Sequence, residues 1–356
     1  MWQGHRLLKL LGIELPILQA PMAGANGAEM AIAVSEAGGL GSLPCAMLNA
    51  AQVGAELSRI RAATSKPINV NFFCHRPLPA DRAREEAWQR KLGPYYVELG
   101  LDREAPLPSV VRAPFDEPTC EVVEAFHPEV VSFHFGLPEN LLLARVQATG
   151  AKILSSATSV DEARWLADRG CDAIIAQGYE AGGHRAMFLT DDVSSQVGTM
   201  ALVPQIADAV KVPVIAAGGI ADARGVVAAF ALGASAVQLG TAYLFCPEAT
   251  ISSVHRRALH TANDGATAIT NVLTGRPARG VVNRLIRELG PLSDEAPAFP
   301  LASGPIAPLR AKAEASGSGD FSPLWSGQAG PLGREMPAGD LTKKLAREAL
   351  AILAAR

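Results

Sequence analysis

The chain has 356 residues, of which 49% are hydrophobic, and its formal net charge at pH 7 is -3. A chain of this length can bury a sizeable core, either as one large domain or as two ordinary ones. The charge balance lacks the basic excess of nucleic-acid or anionic-membrane binding proteins, so we expect neither partner. The five cysteines are widely spaced and form no CxxC pair, which disfavours a disulfide framework or a zinc site and favours a reducing cytoplasm.

Short apolar runs that alternate with helical segments predict eight β-strands. In chain order the runs are PILQAPMA (16–23), LGSLPCA (40–46), PINVNFF (67–73), VVSFHFG (130–136), KILSSAT (152–158), AIIAQG (173–178), PVIAAGG (213–219) and AVQLGTAY (236–243). Helical patterns lie between them, and 51–64, 159–170 and 222–233 are the clearest. Ser159 and Glu162 predict a capping box at the start of the second helix. Eight alternating strands favour a parallel sheet closed into a (β/α)8 TIM barrel.

A doubly wound open sheet is the competing fold for this alternating pattern. It predicts a G-x-G-x-x-G motif after an early strand, and the sequence contains none.

The uncharged stretch 225–247 is long enough to cross a bilayer. Because Gly233, Gln238 and Pro247 interrupt that stretch, we interpret it as a buried helix, a turn and a buried strand.

Two insertions and a C-terminal region interrupt the regular repeat. Residues 74–129 precede the fourth strand, and residues 179–200 follow the sixth. Both leave from C-terminal strand ends, where barrel active sites are built, and we expect the inserted helical segments to form a lid or a second small domain. We expect a core barrel over 1–247, and a helical, Pro/Gly-rich region over 248–356 that packs on it. Within this region, 290–339 is either a loose surface excursion or a wall over the pocket.

The C-terminal strand ends determine which chemistry the pocket can hold. They contain no lysine, which disfavours a Schiff-base enzyme, and their one carboxylate, Glu180, is too few for a metal site or a glycosidase pair. Glycines, neutral amides, one thioether and two imidazoles suit a large, flat, neutral cofactor, with histidine as the acid–base group. The glycine loops at 218–219 and 240–241 follow strands seven and eight, which is the usual phosphate site of a barrel.

Together these motifs resemble the nitronate monooxygenases, formerly called 2-nitropropane dioxygenases, which are FMN-dependent TIM-barrel enzymes. The matching segments are QAPMAG (19–24), NVNFF (69–73), SFHFGLP (132–138), QGYEAGGHR (177–185), AAGGI (216–220), QLGTA (238–242) and FSPLWSGQAG (321–330). SFHFGLP and the SPLWSGQ tail resemble the class I enzymes. The resemblance implies a detoxifying oxidation of alkyl nitronates by O2 to carbonyl compounds and nitrite, without NAD(P)H. Propionate 3-nitronate and neutral nitroalkanes are the substrate candidates, and a homodimer remains open.

The resemblance also implies roles for individual residues. FMN would be bound by Pro21, Met22, Asn71, Gln177, Gly182, Gly218, Gly219, Gln238, Leu239, Gly240 and Thr241. His184 is the expected catalytic residue, and His134 lies beside it. Each has a structural alternative, since His184 could cap a turn and His134 could be a hydrogen-bonded core residue. We interpret Glu180 as a charged loop residue or a residue that supports the site, rather than as a base. For Arg185 two alternatives remain, an interaction with phosphate or with solvent.

Two other functions fit the same glycine loops. The first is an NAD(P)H-dependent flavin reductase of the quinone or enoyl-acyl-carrier-protein type. The second is a non-catalytic barrel that stores or senses a phosphorylated ligand. Bleaching of bound flavin by NADH in the absence of O2 would favour the reductase, and a colourless protein would favour the binding barrel.

Overall fold

Parallel strands and helices alternate along most of the chain in the computed structural model, which describes residues 2, 5–77, 79, 81–108 and 112–355. The strands are β1 (Ile17–Gln19), β2 (Gly41–Pro44), β3 (Ile68–Phe73), β4 (Val130–His134), β5 (Lys152–Ala157), β6 (Ala173–Gln177), β7 (Gly183–His184), β8 (Val214–Ala217), β9 (Ala236–Leu239), β10 (Thr267–Thr270) and β11 (Ala278–Val281). The helices are α1 (His5–Leu11), α2 (Ala28–Glu36), α3 (Ala50–Ala63), α4 (Arg82–Glu98), α5 (Glu117–Phe126), α6 (Asn140–Ala148), α7 (Val160–Ala167), α8 (Thr199–Ala209), α9 (Ala223–Ala231), α10 (Ser253–Thr261), α11 (Arg284–Leu289), α12 (Ser303–Ala315) and α13 (Ala338–Ala354).

Eight of the strands form one parallel sheet that closes on itself. Neighbouring strands follow the order β1-β9-β8-β6-β5-β4-β3-β2. The two ends of this order meet where Leu18 bridges Leu40 in parallel and the N–H of Gln19 donates to the carbonyl of Leu40 at 2.9 Å. The predicted (β/α)8 TIM barrel is therefore confirmed.

Burial on both faces explains why the barrel strands appear in the sequence as apolar runs. All six residues of β3 are buried, as are all five of β6. Strands of a parallel barrel are covered by helices outside and by packed side chains inside, so alternation with polar residues is lost. All neighbouring strands of the barrel pair in parallel, so that their eight C-terminal ends meet at one rim.

The predicted capping box at α7 forms only in part. Ser159 accepts a hydrogen bond from the N–H of Glu162 at 3.2 Å, as a helix N-cap does. The carboxylate of Glu162 does not return to Ser159. It is fully buried and accepts from the N–H groups of Thr158 at 2.7 Å and Phe188 at 2.6 Å. Glu162 thus fastens the segment that follows β7 to the barrel.

A second, smaller layer covers the C-terminal rim of the barrel. Strands β10, β11 and β7 form an antiparallel sheet in which His184 pairs with Ala278. The insertion helix α4 packs on α12, and Trp88 and Tyr96 share a small hydrophobic core there with Leu309. Helix α13 instead lies in the outer ring of the barrel, against α2 and α9. The division into 1–247 and 248–356 stays a prediction.

All eight barrel strands are shorter than predicted, and the first and the last differ most from the prediction. The run 236–243 ends as a strand at Leu239, because Gly240 turns the chain into a 3-10 helix over Thr241–Phe245. The run 16–23 is a strand only over Ile17–Gln19. Within the described part of the chain, no helix has the length and apolar character that a membrane crossing requires.

Candidate active site

A cavity of about 480 Å³ opens at the C-terminal rim of the barrel. Its volume lies in the range of pockets that hold a cofactor or small ligand. The predicted site residues that line it are Pro21, Met22, Asn71, His134, Gln177, Gly182, His184, Gly218, Gly219, Gln238, Gly240 and Thr241. Leu239 is not in the lining. Its side chain is buried in the hydrophobic core, and its carbonyl accepts from the N–H of Ala20 at 2.8 Å.

One end of the cavity presents backbone N–H groups from two adjacent strand ends. Gly218 and Gly219 have φ angles of 106° and 70°, a left-handed backbone that favours glycine. Among the described residues, no hydrogen bond is donated by the N–H groups of these two glycines, nor by those of Gly240 and Thr241. Converging N–H donors without internal acceptors form an anion site. This end therefore fits a phosphate group.

At the other end, the hydrogen bonds of His184 define its protonation. Its Nε2 atom lies 3.0 Å from Oγ1 of Thr274, and that hydroxyl donates to the carbonyl of Arg276 at 3.3 Å. We assign the threonine proton to the carbonyl, which can only accept; Nε2 then carries hydrogen and donates to Oγ1, and Nδ1 keeps its lone pair. Burial, followed by the positive charge of Arg112, holds the pKa of His184 well below its usual value. The imidazole is therefore neutral at neutral pH and can accept a proton.

His134 uses both ring nitrogens within the protein. Its Nε2 atom lies 3.3 Å from the carbonyl oxygen of His184, and its Nδ1 atom lies 3.4 Å from Oγ of Ser156. A carbonyl oxygen only accepts, so Nε2 carries the hydrogen and Nδ1 accepts from the serine hydroxyl. Burial and the nearby charge of Arg276 lower the pKa of His134 to about 3. The ring lines the cavity while it supports the main chain of His184.

The side-chain amides of Asn71 and Gln177 lie at strand ends and differ in how many of their atoms already have a hydrogen-bond partner. Nδ2 of Asn71 donates to Oγ of Ser132 at 2.9 Å, and Oδ1 has no donor among the described residues. The amide of Gln177 is engaged at both atoms, because Nε2 donates to the carbonyl of His184 at 3.0 Å and Oε1 accepts from the N–H of Ala186 at 2.8 Å. Asn71 can therefore reach a ligand with its side chain, whereas the side chain of Gln177 shapes the loop.

Two charged residues of the QGYEAGGHR motif have structural partners. The carboxylate of Glu180 accepts from both the N–H and the hydroxyl of Thr199 at 2.8 Å, at the start of α8, which agrees with a supporting role. Arg185 is fully buried and donates to main-chain carbonyls, so neither alternative considered for it, phosphate or solvent, is correct. Arg185 directly follows β7 and does not line the cavity, whereas His184, the last residue of β7, does.

Several residues that the sequence did not single out surround the histidine end. Arg112 lines the cavity, with its guanidinium carbon 5.6 Å from the ring centre of Phe299. The guanidinium carbon of Arg276 lies 4.0 Å from the ring centre of Phe135. Neither arginine forms a salt bridge within the described residues. This end of the cavity is therefore cationic.

The segment 290–339 supplies a wall of the cavity. Its lining residues are Arg310, Glu314, Ser322, Pro323, Leu324, Trp325, Gly327 and Ala329. The N–H of Gly327 donates to Oγ1 of Thr241 at 2.9 Å, and the ring centre of Trp325 lies 5.5 Å from that of His184. Of the two alternatives for this segment, the pocket wall is the correct one.

Comparison with known proteins agrees with this arrangement. The family model for nitronate monooxygenase matches residues 5–348. The nitronate monooxygenase of Paraburkholderia phytofirmans is 43% identical over 96% of this chain and 94% of its own length. That of Pseudomonas aeruginosa is 41% identical over 96% of this chain and 98% of its own length.

A solved structure extends the similarity to the fold. The nitroalkane oxidase of Streptomyces ansochromogenes superimposes with a TM-score of 0.89 at 37% identity, over 98% of this chain and 99% of that one. The family match and the relatives both run through the barrel, the histidine loop and the C-terminal wall. This chain therefore belongs to the nitronate monooxygenase family.

Proposed function

We propose that this protein is a flavin-dependent oxidoreductase that converts alkyl nitronates and O2 to carbonyl compounds and nitrite without NAD(P)H. The observation that carries the proposal is a cavity with unbonded N–H groups at Gly218 and Gly219 at one end, and with His184 and the guanidinium of Arg112 in its lining at the other. A nitronate is a small planar anion, so it is attracted to that end. Membership of the family supports the reaction class.

Enzymes of this family are flavin-dependent, and FMN is the flavin we propose. The N–H groups after β8 and β9 lie at adjacent strand ends and suit one phosphate, as FMN carries. Asn71, Gln238 and the thioether of Met22 line the cavity beyond them and would contact the ring system. When bound, the flavin supplies the redox chemistry by accepting electrons from the substrate and passing them to O2.

The protein's own contribution at the reacting end is a neutral base with a defined orientation. With a nitroalkane, Nδ1 of His184 would accept the α-proton while Thr274 holds Nε2. A nitronate has already lost that proton, so with this substrate the imidazole only orients the anion. The rings of Phe73 and Trp325 close this end and limit access of water.

We propose further that the preferred nitronate carries a second negative charge, as propionate 3-nitronate does. Arg112 supports this choice because it lines the cavity, and its charge is the largest electrostatic influence on the pKa of His184. Burial lowers the pKa of this guanidinium, and no carboxylate among the described residues pairs with it within salt-bridge distance. A guanidinium that pairs with no carboxylate of the described residues can bind a substrate carboxylate through two parallel hydrogen bonds.

Nitrite release and flavin reduction together test the proposal. The purified protein is incubated in air with propionate 3-nitronate, and nitrite is measured; a second sample is mixed with NADH without O2. We expect nitrite release from a yellow protein and no bleaching by NADH. Rapid bleaching with no nitrite would favour the NAD(P)H-dependent reductase, and a colourless protein would favour the binding barrel.

A further inference from the structure

Two long side chains connect the two ends of the loop that runs from Gln177 to Ala186. Gln177, the last residue of β6, reaches forward to the carbonyl of His184 at 3.0 Å and to the N–H of Ala186 at 2.8 Å. Arg185 reaches back, and its Nη2 and Nη1 atoms donate to the carbonyls of Gln177 at 2.9 Å and Gly178 at 2.7 Å. The side chain of each residue thus binds main chain at the other's end of the loop, and we call this arrangement the loop clamp.

The position of Arg185 is unfavourable for a charged group. The residue is 0% exposed, and it forms no salt bridge within the part of the chain that the structure describes. Burial and the charge of Arg279 lower its pKa to about 10, so the guanidinium remains charged at neutral pH. Burying a charge without an adjacent opposite charge costs free energy, which here is offset by three oxygen acceptors, the third being Oε1 of Gln196 at 3.0 Å. An apolar side chain would avoid that cost, so the guanidinium contributes geometry rather than packing.

The loop clamp holds the main chain from which the side chain of His184 takes its direction. The loop over 178–182 is held elsewhere, since the N–H of Tyr179 donates to the carbonyl of Val197 at 2.8 Å and Glu180 accepts from the N–H of Thr199 at 2.8 Å, but neither contact reaches His184. Among the described residues, the main chain of His184 is otherwise held by the pairing of β7 with β11 and by the contact from His134. A small rotation there would move Nε2 away from Thr274 and change where Nδ1 points.

We propose that Arg185 is a positioning residue for His184, acting through the loop clamp. The inference rests on the proposed role of His184 as the base toward nitroalkanes. Arg185 does not line the cavity, so it acts on the substrate only through the loop. A merely structural role would instead lower stability and flavin content, and would reduce activity whether or not His184 is present.

A double-mutant cycle separates these two roles. Arg185→Lys keeps the charge but loses the two parallel donors of the guanidinium. Arg279→Lys is the comparison variant, since Arg279 is also buried, at 2% exposed, and donates to the carbonyl of Tyr179 in the same loop at 3.1 Å, but takes no part in the loop clamp. We expect Arg185→Lys to lower kcat for a nitroalkane roughly 10-fold, with KM and nitronate turnover unchanged. In a His184→Ala background the same substitution should have no further effect. An equal loss in both backgrounds would overturn the inference.

A structural measurement decides the question independently of turnover. Crystal structures of the protein and of Arg185→Lys should show the separation of His184 Nε2 from Thr274 Oγ1 increasing from 3.0 Å. An unchanged separation would contradict the positioning role. Failure of the unsubstituted protein to release nitrite from any nitronate would count against the proposed function alone.

Discussion

The Nε2 atom of His134 lies 3.3 Å from the carbonyl oxygen of His184, so the side chain of one predicted catalytic residue is bonded to the main chain of the other. The second ring nitrogen of His134 faces Ser156. His184 bonds through Nε2 to Thr274 and retains Nδ1. Only His184 has a nitrogen available for substrate, and we therefore assign proton transfer to it and support to His134.

Substituting His184 tests this assignment. We expect His184→Ala to retain flavin and to lower nitroalkane turnover by at least about 100-fold, because the general base is removed. Nitronate turnover should fall much less, since no proton has to be abstracted. Nitrite release is measured with both substrates at equal flavin content. Equal losses with the two substrates, or none with either, would remove the base from the mechanism.

Substituting Gly219 tests the phosphate end of the cavity. A Cβ at Gly219 would lie 3.4 Å from Cβ of Glu180, and the φ angle of 70° disfavours any other residue. We expect Gly219→Val to purify with little flavin, as measured by the ratio of flavin to protein absorbance. Gly150→Val is the control, because Gly150 also has a positive φ of 85° but no heavy atom within 4 Å of its added Cβ. Full flavin occupancy in Gly219→Val would argue against phosphate binding there.

Substituting Arg112 tests the preference for a second negative charge. Arg112→Gln should lower kcat/KM for propionate 3-nitronate roughly 10- to 100-fold, the effect of losing a charged hydrogen-bond pair. An alkyl nitronate of similar length without the carboxylate should be much less affected. Arg310→Gln is the control, since Arg310 lines the same cavity but already pairs with Glu314 at 2.9 Å. The same fold-loss for both substrates would assign Arg112 a role other than carboxylate recognition.

His75 makes the fold sensitive to acid. It is 6% exposed, its ring centre lies 4.9 Å from that of Phe299, and burial followed by the charge of Arg276 lowers its pKa to about 4. As pH falls from about 6.5 toward 4, the unfolded chain binds a proton at this residue and the native protein does not, so stability is lost. Between pH 6.5 and pH 5 this amounts to about 2 kcal/mol of unfolding free energy.

The substitution His75→Phe should reduce that sensitivity while keeping an aromatic ring in the cluster. Urea unfolding at pH 7 and at pH 5 gives the difference in unfolding free energy for each protein. We expect the difference to be smaller in the variant by about 2 kcal/mol. Identical pH dependence in the two proteins would show that His75 is not responsible.

The barrel and the phosphate end could be predicted because both depend on local sequence. A strand covered on both faces is an apolar run, and the glycine pairs follow two such runs directly. The proposed roles of the strand-end residues depend on the same reasoning and stay predictions, as do a homodimer and a cytoplasmic location. Leu239 shows the limit of reasoning from motifs, because a residue inside a motif can face the core instead of the ligand.

The cationic end could not be predicted in the same way. Arg112 lies in the 74–129 insertion, and Thr274 and Arg276 lie in the C-terminal region, where no strand or helix period places a side chain over the barrel. Their positions depend on how these segments fold back across the rim. A sequence pattern describes neighbours along the chain, whereas these residues meet His184 only through long-range packing.

The parts that complete the cavity are translated after all eight barrel strands. Ser322 to Ala329 form its wall, and α13 fills the outer ring between α2 and α9. A nascent chain that has emerged only as far as β9 has all eight barrel strands but lacks these parts. We therefore expect flavin binding to require the chain beyond the barrel strands, and a protease cut near residue 320 to weaken it.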